Sequence, residues 1–163
     1  MAIQYILLVS RQGKIRLQMF YNNATPAVAN QVAHQTVSTV LARSPRFCNF
    51  IEQKDSKIVF RRYASLFFIV AIDPADNELL ALEAIQHYVE ILDQYYGNVC
   101  ELDIIFHFDQ AYYVLNEVFI RGQLQETNKR EVLRLVMEQD KAEQESQQAT
   151  LSSITNKIRV PGM

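Results

Sequence analysis

The amino-terminal part of the chain alternates apolar and polar residues with the two-residue period of β-strands. Residues 3–10 form a nearly continuous apolar run, and residues 14–21 alternate, with Arg16 on the less buried face. The opposite face of that second segment carries four apolar residues: Ile15, Leu17, Met19 and Tyr21. Arg11-Gln12-Gly13 supplies a turn, so the pattern predicts a β-hairpin. Because its first strand is apolar on both faces, we expect that strand to be central in a sheet covered by helices on each side.

The next segments predict one helix and three further strands. Thr25-Pro26 combines an N-cap residue with proline at the first helical position, and apolar residues recur at helical spacing until Ser44-Pro45. Residues 48–52, 57–63 and 66–72 are rich in aromatic and β-branched residues, which favour strands. The predicted sheet therefore has five strands.

The pattern then changes to helical spacing. Asp73-Pro74-Ala75-Asp76 predicts a turn that ends in a candidate N-cap, and an apolar stripe continues from Leu82 to Tyr96, where Gly97 is a C-terminal stop. Residues 99–108 fit a strand or a short helix, and their periodicity leaves both open.

Two more helices are predicted near the carboxyl end. Residues 109–122 read as a capped helix, and Asn128-Lys129-Arg130-Glu131 resembles a capping box that opens a last helix through about Glu145. Residues 146–163 are rich in Gln, Ser and Thr, and we expect a loosely held, flexible tail. The predicted architecture is α+β, with one domain over residues 1–145 and an antiparallel sheet between helical layers.

Charge and composition exclude several classes of protein. The net charge of −2 conceals nine Lys/Arg against two Asp/Glu in residues 1–63, and seven against sixteen in residues 64–163. The basic residues are spaced singly or in pairs, which predicts one positive face and no polybasic arm for nucleic acid. No signal-peptide pattern and no apolar run of about 18 residues is present, so we expect a soluble, cytosolic chain.

No catalytic, metal or cofactor site is predicted. Four glycines form no dinucleotide or P-loop motif, the three histidines are isolated, and Cys48 and Cys100 lack zinc-type spacing. Glu101 and Asp103 would share a face only on a strand, so a helix-start acid and a surface acid explain them better than a catalytic dyad. A hydrolase with Ser10, Ser65 or Cys100 as nucleophile lacks a visible base.

The sequence Ile58-Val59-Phe60-Arg61-Arg62-Tyr63-Ala64-Ser65-Leu66-Phe67-Phe68 resembles the small-chain signature of clathrin adaptor complexes. Other ordered blocks that are similar to sigma subunits extend the resemblance to about residues 3–136: Arg11-Gln12-Gly13-Lys14, Cys48-Asn49-Phe50, Asp76-Asn77-Glu78-Leu79, Tyr88-Val89-Glu90 and Asn98-Val99-Cys100-Glu101-Leu102-Asp103. The resemblance implies a longin-like fold, with a five-stranded antiparallel sheet sandwiched by helices. It also implies a helix within residues 99–108.

The resemblance further implies a vesicle-coat component and no enzyme. Sigma subunits join two large adaptin subunits and one medium (mu) subunit in a heterotetramer, and act indirectly with clathrin, an Arf-family GTPase and membrane. Their cargo is the acidic dileucine sorting signal, which needs two neighbouring apolar slots and a cationic surface. By resemblance, Arg16 attracts the acidic residue of the signal. By the same resemblance, Asn98 lies beside the apolar slots, and the slots are lined by Ala64, Leu66, Val89, Val99 and Ile104.

The resemblance is strongest to sigma of the first adaptor complex, which implies a cytoplasmic chain peripheral on the trans-Golgi network, endosomes and clathrin-coated vesicles. The plasma-membrane second complex is the nearest alternative. Phe60 and Phe67 stand where the signature more often has Tyr, and Ile104 replaces a more usual Leu. Two rival classes remain at this point: the small chain of the COPI coat, and a free-standing longin module that regulates a small GTPase or binds acidic lipid.

Overall fold

A five-stranded antiparallel sheet forms the centre of the structure, a computed structural model that describes residues 1–43, 49–125 and 128–158. Its strands, in chain order, are β1 (Ile3–Ser10), β2 (Ile15–Phe20), β3 (Phe50–Glu52), β4 (Lys57–Tyr63) and β5 (Leu66–Ile72). The strand order is β2-β1-β5-β4-β3. The predicted α+β class and the five antiparallel strands are confirmed. The first strand is interior, as its two apolar faces require, although β5 and not β1 occupies the middle of the sheet.

Helices cover both faces of this sheet, as predicted. Helix α1 (Pro26–Leu41) packs on one face, where Ala33, Val37 and Val40 join a core cluster with Leu7 and Ile69. The other face carries α2 (Glu78–Tyr96), α3 (Glu101–Phe106), α4 (Phe108–Val118) and the start of α5 (Lys129–Ile158). The ambiguous segment is thus helical, in agreement with the family resemblance. Ser44-Pro45 and Cys48 lie outside the described residues.

One irregularity in the sheet changes the predicted faces of β2. The pairing of β1 with β2 shifts register between Leu8 and Val9, which is a β-bulge or similar irregularity. Leu17 belongs to the core on the α2 side, whereas Ile15 packs with the core on the α1 side. The prediction that these two side chains share a face is therefore wrong, because the irregular pairing breaks the two-residue alternation.

Two predicted helix boundaries in the middle of the chain need correction. The N-cap of α2 is Asn77, whose Oδ1 accepts a hydrogen bond from the Leu79 amide at 2.9 Å, and not Asp76. Asp76 instead accepts a hydrogen bond from the Ala2 amide at 2.9 Å. Helix α4 ends at Val118 and does not continue to residue 122.

A short hairpin replaces the end of that predicted helix. Its strands β6 (Phe119–Ile120) and β7 (Gln123–Leu124) are joined by Arg121 and Gly122, both with positive φ. The Gly122 carbonyl accepts a hydrogen bond from the Ile3 amide at 2.7 Å. This contact with β1 spans most of the chain, which is why local periodicity misses it.

The last helix begins where the sequence predicts it and ends later. Asn128 Oδ1 accepts hydrogen bonds from the amides of Arg130 and Glu131 at 3.1 and 3.4 Å. The helix continues to Ile158, so the predicted end near Glu145 is wrong. Only Val132 and Val136 of α5 are buried, and residues 141–158 are exposed. The division of the chain near residue 145 and the looseness of the tail stay predictions.

Among the described residues, no helix has both the length and the apolar content needed to cross a bilayer.

Candidate functional site

The predicted site residues lie on the β4–β5 turn with the start of β5, on α2, on the loop after α2 and on helix α3, which contacts β2. Asp93 of α2 connects the end of β4 with the loop after α2. Its Oδ1 accepts a hydrogen bond from the Tyr63 hydroxyl at 2.9 Å and one from the Val99 amide at 3.0 Å. The hydrogen bond to Asp93 raises the pKa of the Tyr63 hydroxyl. One carboxylate thus holds the end of β4 against the loop that leads into α3.

Three residues near this junction have a positive backbone φ angle. Gly97 ends α2 in the left-handed region, and Asn98 follows with φ 67°. Asparagine tolerates this conformation better than most residues, because its short polar side chain bonds locally. Ala64 also has a positive φ, of 52°, in the two-residue turn between β4 and β5. The loop and the turn therefore each contain a backbone conformation that few L-residues adopt.

The four large apolar side chains that the resemblance assigns to the slots come together in one core cluster. Leu66, Val89, Val99 and Ile104 all belong to it, and their exposed fractions are 0–2%. Ala64 and Asn98, in contrast, are exposed at the rim. The fold brings the predicted residues into one neighbourhood, but in this conformation the apolar surface is closed and offers no open slot.

The cationic member of the predicted site is already paired. Arg16 on β2 donates from Nε to Glu101 Oε1 at 3.0 Å, and its Nη2 lies 2.9 Å from the same oxygen. The two side chains are only 26% and 22% exposed. Glu101 lies on α3, so this ion pair fastens α3 to the edge strand of the sheet.

Glu101 is therefore a site residue that the sequence did not reveal as one. The sequence pattern indicated Glu101 only as an acidic residue at the start of a helix, near Asp103. Asp103 has a separate role, because its Oδ2 accepts a hydrogen bond from the Cys100 amide at 2.9 Å at the start of α3. The sequence does place a negative charge at Glu101, in the same family block as Asn98. No local pattern, however, predicts that Glu101 pairs with Arg16, because the two residues are 85 positions apart.

Two of the three departures from the family pattern, Phe60 and Phe67, lie on the other face of the sheet. Phe60 belongs to the core cluster under α1, and Phe67 packs against that cluster. The slot residues belong to the cluster under α2. The hydroxyls missing at positions 60 and 67 therefore do not bear directly on the predicted site. Ile104, the third departure, is fully buried within it.

The predicted continuous basic face is interrupted by acidic partners. Lys57 Nζ lies 3.3 Å from Glu78 Oε2 and donates to the Asp76 carbonyl at 3.0 Å. Arg16 is paired as described. Arg61 and Arg62 are exposed on β4.

The fold identifies the class of protein first. A chain in the structure titled "Homology model of the full-length AP-3 complex in a stretched open conformation" superposes with a TM-score of 0.69 and 26% sequence identity, over 90% of this chain and 98% of that one. The architecture is thus that of a component of a vesicle-adaptor complex, and the predicted fold class is confirmed.

Sequence comparison then gives the family. Residues 2–143 match the family model described as "Clathrin adaptor complex small chain". The AP-1 complex subunit sigma-1 of Arabidopsis thaliana is 49% identical over 156 residues, which are 96% of each chain. The AP-1 complex subunit sigma-2 of Dictyostelium discoideum is 52% identical over 86% of this chain and 91% of its own, and the human subunit sigma-1A is 45% identical over 89% and 92%. The chain belongs to the clathrin adaptor complex small chain family, as its signature predicted.

Proposed function

We propose that this chain is the small subunit of a heterotetrameric clathrin adaptor of the first type, and that it binds acidic dileucine sorting signals at the junction of β2, α2 and α3. In this assembly it joins two large adaptin subunits and one medium subunit. The observation that carries the proposal is the double role of α3. This helix holds Glu101, which pairs with Arg16, and Ile104, which closes the apolar cluster.

The proposed binding event exchanges internal contacts for equivalent ones with the cargo peptide. The acidic residue of the signal replaces Glu101 at the Arg16 guanidinium. The two leucines of the signal then occupy apolar surface at Leu66, Val89 and Val99 that is released when α3 moves. Helix α3 is only six residues long, so few internal backbone hydrogen bonds are lost if it unwinds to open the site.

Energetics favour weak binding that depends on avidity. Burial of two leucine side chains contributes roughly 3 to 6 kcal/mol, and ordering the peptide and opening the site cost several kcal/mol of that. The net affinity for one signal is therefore about micromolar or weaker. A coat that engages several cargo tails on one membrane compensates through effective concentration.

Similarity supports the first complex over the second. The three relatives compared above, at 45–52% identity, are named as sigma subunits of AP-1 complexes. The proposed location is therefore the cytoplasmic surface of the trans-Golgi network, endosomes and clathrin-coated vesicles. Clathrin, an Arf-family GTPase and membrane are indirect partners that act through the other subunits.

Peptide binding by the assembled complex tests the cargo site. Fluorescence anisotropy with a labelled peptide containing an acidic dileucine signal measures Kd for the wild type and for two variants, Val89→Asp and Arg16→Ser. We expect each variant to weaken binding by about tenfold or more, while the complex still assembles. A peptide whose two leucines are replaced by serine gives the non-specific background.

Matched controls are available on other surfaces. Val28→Asp places the same charge on an exposed residue of α1, and Arg134→Ser removes an arginine that pairs with Glu131 and Glu138 on α5. Both should bind the peptide like the wild type. Because Val89 is buried, Arg16→Ser is the decisive variant if Val89→Asp fails to assemble. An unchanged Kd for Arg16→Ser would place the cargo site elsewhere.

A further inference from the structure

Helix α3 is apolar on its outer face as well as on its inner one. Leu102, Ile105 and Phe106 are spaced i, i+3 and i+4, which puts them on one side of the helix. Their exposed fractions are 59%, 36% and 72%. Ile104 points the other way and is fully buried. Exposed apolar residues are ordinary when scattered, but three on two turns form a continuous apolar face, here called the outer face.

An acidic groove of about 700 Å³ adjoins this outer face. Asp103 of α3 lines it together with Tyr95, Tyr96, Met137, Asp140 and Glu143. The Tyr95 hydroxyl donates to Asp140, and the Tyr96 hydroxyl donates to the His107 carbonyl at 2.7 Å. Among the described residues that line the groove, none is Lys or Arg. The groove thus combines aromatic rings and carboxylates, which together favour a cationic ligand.

We propose that the outer face of α3 and the acidic groove form one docking surface for a segment of another polypeptide that presents apolar side chains flanked by Lys or Arg. Asp103 joins the two parts, because it lies on α3 and lines the groove. An apolar centre beside a charged rim is the usual anatomy of a protein interface. The carboxylates repel an anionic bilayer, so the charge favours a cationic protein segment over a lipid surface.

The inference rests on the proposed role as an adaptor subunit, since the segment would belong to a neighbouring subunit of the assembly. It also has a consequence for the cargo site. Docking on the outer face would hold α3, whose inner residues Glu101 and Ile104 close the apolar cluster. The same helix would then connect subunit contacts to access for cargo.

Competitive assembly tests the apolar part of the docking surface. The chain is co-expressed with the two large subunits and the medium subunit, with equal amounts of wild-type and variant small chain carrying different tags, and the two are quantified in the purified complex. We expect the double variant Leu102→Ser/Phe106→Ser to be incorporated about tenfold less than the wild type. The control Leu151→Ser/Ile154→Ser changes residues that are 63% and 47% exposed on α5, and it should compete equally. Equal incorporation of both double variants would overturn the proposal.

The charge part has its own matched pair on α5. Glu143 lines the groove, whereas Glu145, two residues later, does not. We expect Glu143→Lys to be incorporated several-fold less than the wild type and Glu145→Lys to be unaffected. If Glu143→Lys competes like Glu145→Lys, the partner is not cationic and the proposal fails as stated.

Two further outcomes separate this inference from the proposed function. If the wild-type chain does not enter the heterotetramer, the proposed function fails; if it enters and the outer-face variant enters equally well, only the docking surface fails. Light scattering on the purified chain tests a second copy as the occupant. A wild-type dimer that becomes monomeric on Leu102→Ser/Phe106→Ser would overturn the docking of a different polypeptide.

Discussion

The ion pair between Arg16 and Glu101 leads to a prediction with an unusual sign. If Glu101 occupies the position that the acidic residue of a cargo signal takes, then Glu101→Gln should strengthen peptide binding. Arg16→Ser should weaken it. Glu101→Gln keeps the size and shape of the side chain and removes only its charge. Opposite effects from the two partners of one ion pair distinguish competition from a purely structural role.

The structure sets the magnitude. Nε and Nη2 of Arg16 lie 3.0 and 2.9 Å from a single oxygen of Glu101, and both side chains are about three-quarters buried. Exposed ion pairs contribute about 0.2 to 1 kcal/mol, and partial burial places this one near the upper end. Release of about 1 kcal/mol lowers Kd by about fivefold. Loss of the carboxylate from the first turn of α3 acts in the same direction, because it weakens the helix that closes the site.

Fluorescence anisotropy with the acidic dileucine peptide on the assembled complex measures this change. Glu131→Gln is the matched control, since it alters the net charge equally but breaks a pair with Arg134 on α5. We expect Glu101→Gln to bind about fivefold more tightly and Glu131→Gln to bind like the wild type. Equal strengthening by both would indicate a general effect of charge. Unchanged or weaker binding by Glu101→Gln in a normally assembled complex would refute competition at Arg16.

Two further predictions concern stability, and urea unfolding measures both. A Cβ at Gly122 (φ 77°) would overlap the Ile3 carbonyl oxygen, so Gly122→Ala should lower the unfolding free energy by about 3 kcal/mol or more. Gly97→Ala, at φ 67° with free space around it, should cost only about 1 to 2 kcal/mol; equal losses would mean that the contact with Ile3 relaxes. Burial raises the pKa of Tyr21 from 10.0 to about 12, so the unfolded state ionises first and stability falls as pH rises between these values. Tyr21 Oη is buried without a hydrogen-bond partner among the described residues. We therefore expect Tyr21→Phe to change the unfolding free energy little at neutral pH and to reduce the loss of stability at alkaline pH. An unchanged loss of stability at alkaline pH would show that Tyr21 is not its cause.

Local patterns predicted the elements whose residues alternate or repeat strongly. The β1–β2 hairpin, the strands at residues 57–63 and 66–72, and α2 lie within a residue or so of the predicted positions. The β6–β7 hairpin was missed because it depends on the contact between Gly122 and Ile3. The end of α5 was missed for a different reason. Residues 141–158 have only three large apolar residues, Leu151, Ile154 and Ile158, and all three are exposed. Their Ala, Gln, Glu and Lys residues nevertheless favour helix without burial.

The sequence likewise predicted the members of the candidate site but not their arrangement. The family signature named the apolar residues, and four of them do share one cluster. It gave no indication that this cluster is closed or that Arg16 already has a partner. The binding of a dileucine signal by these residues stays a prediction. Glu101→Gln tests it through a residue that the family signature did not indicate.

The sequence by itself determined the family, the α+β class and the order of the main elements, because these depend on neighbouring residues and on their spacing. Only the tertiary structure decided which distant residues meet. It paired Arg16 with Glu101, placed Phe60 and Phe67 on the face away from the site, and left the outer face of α3 exposed beside an acidic groove. Such contacts depend on how the irregular β1–β2 pairing and the packing of α3 orient side chains in space, and no local period carries that information.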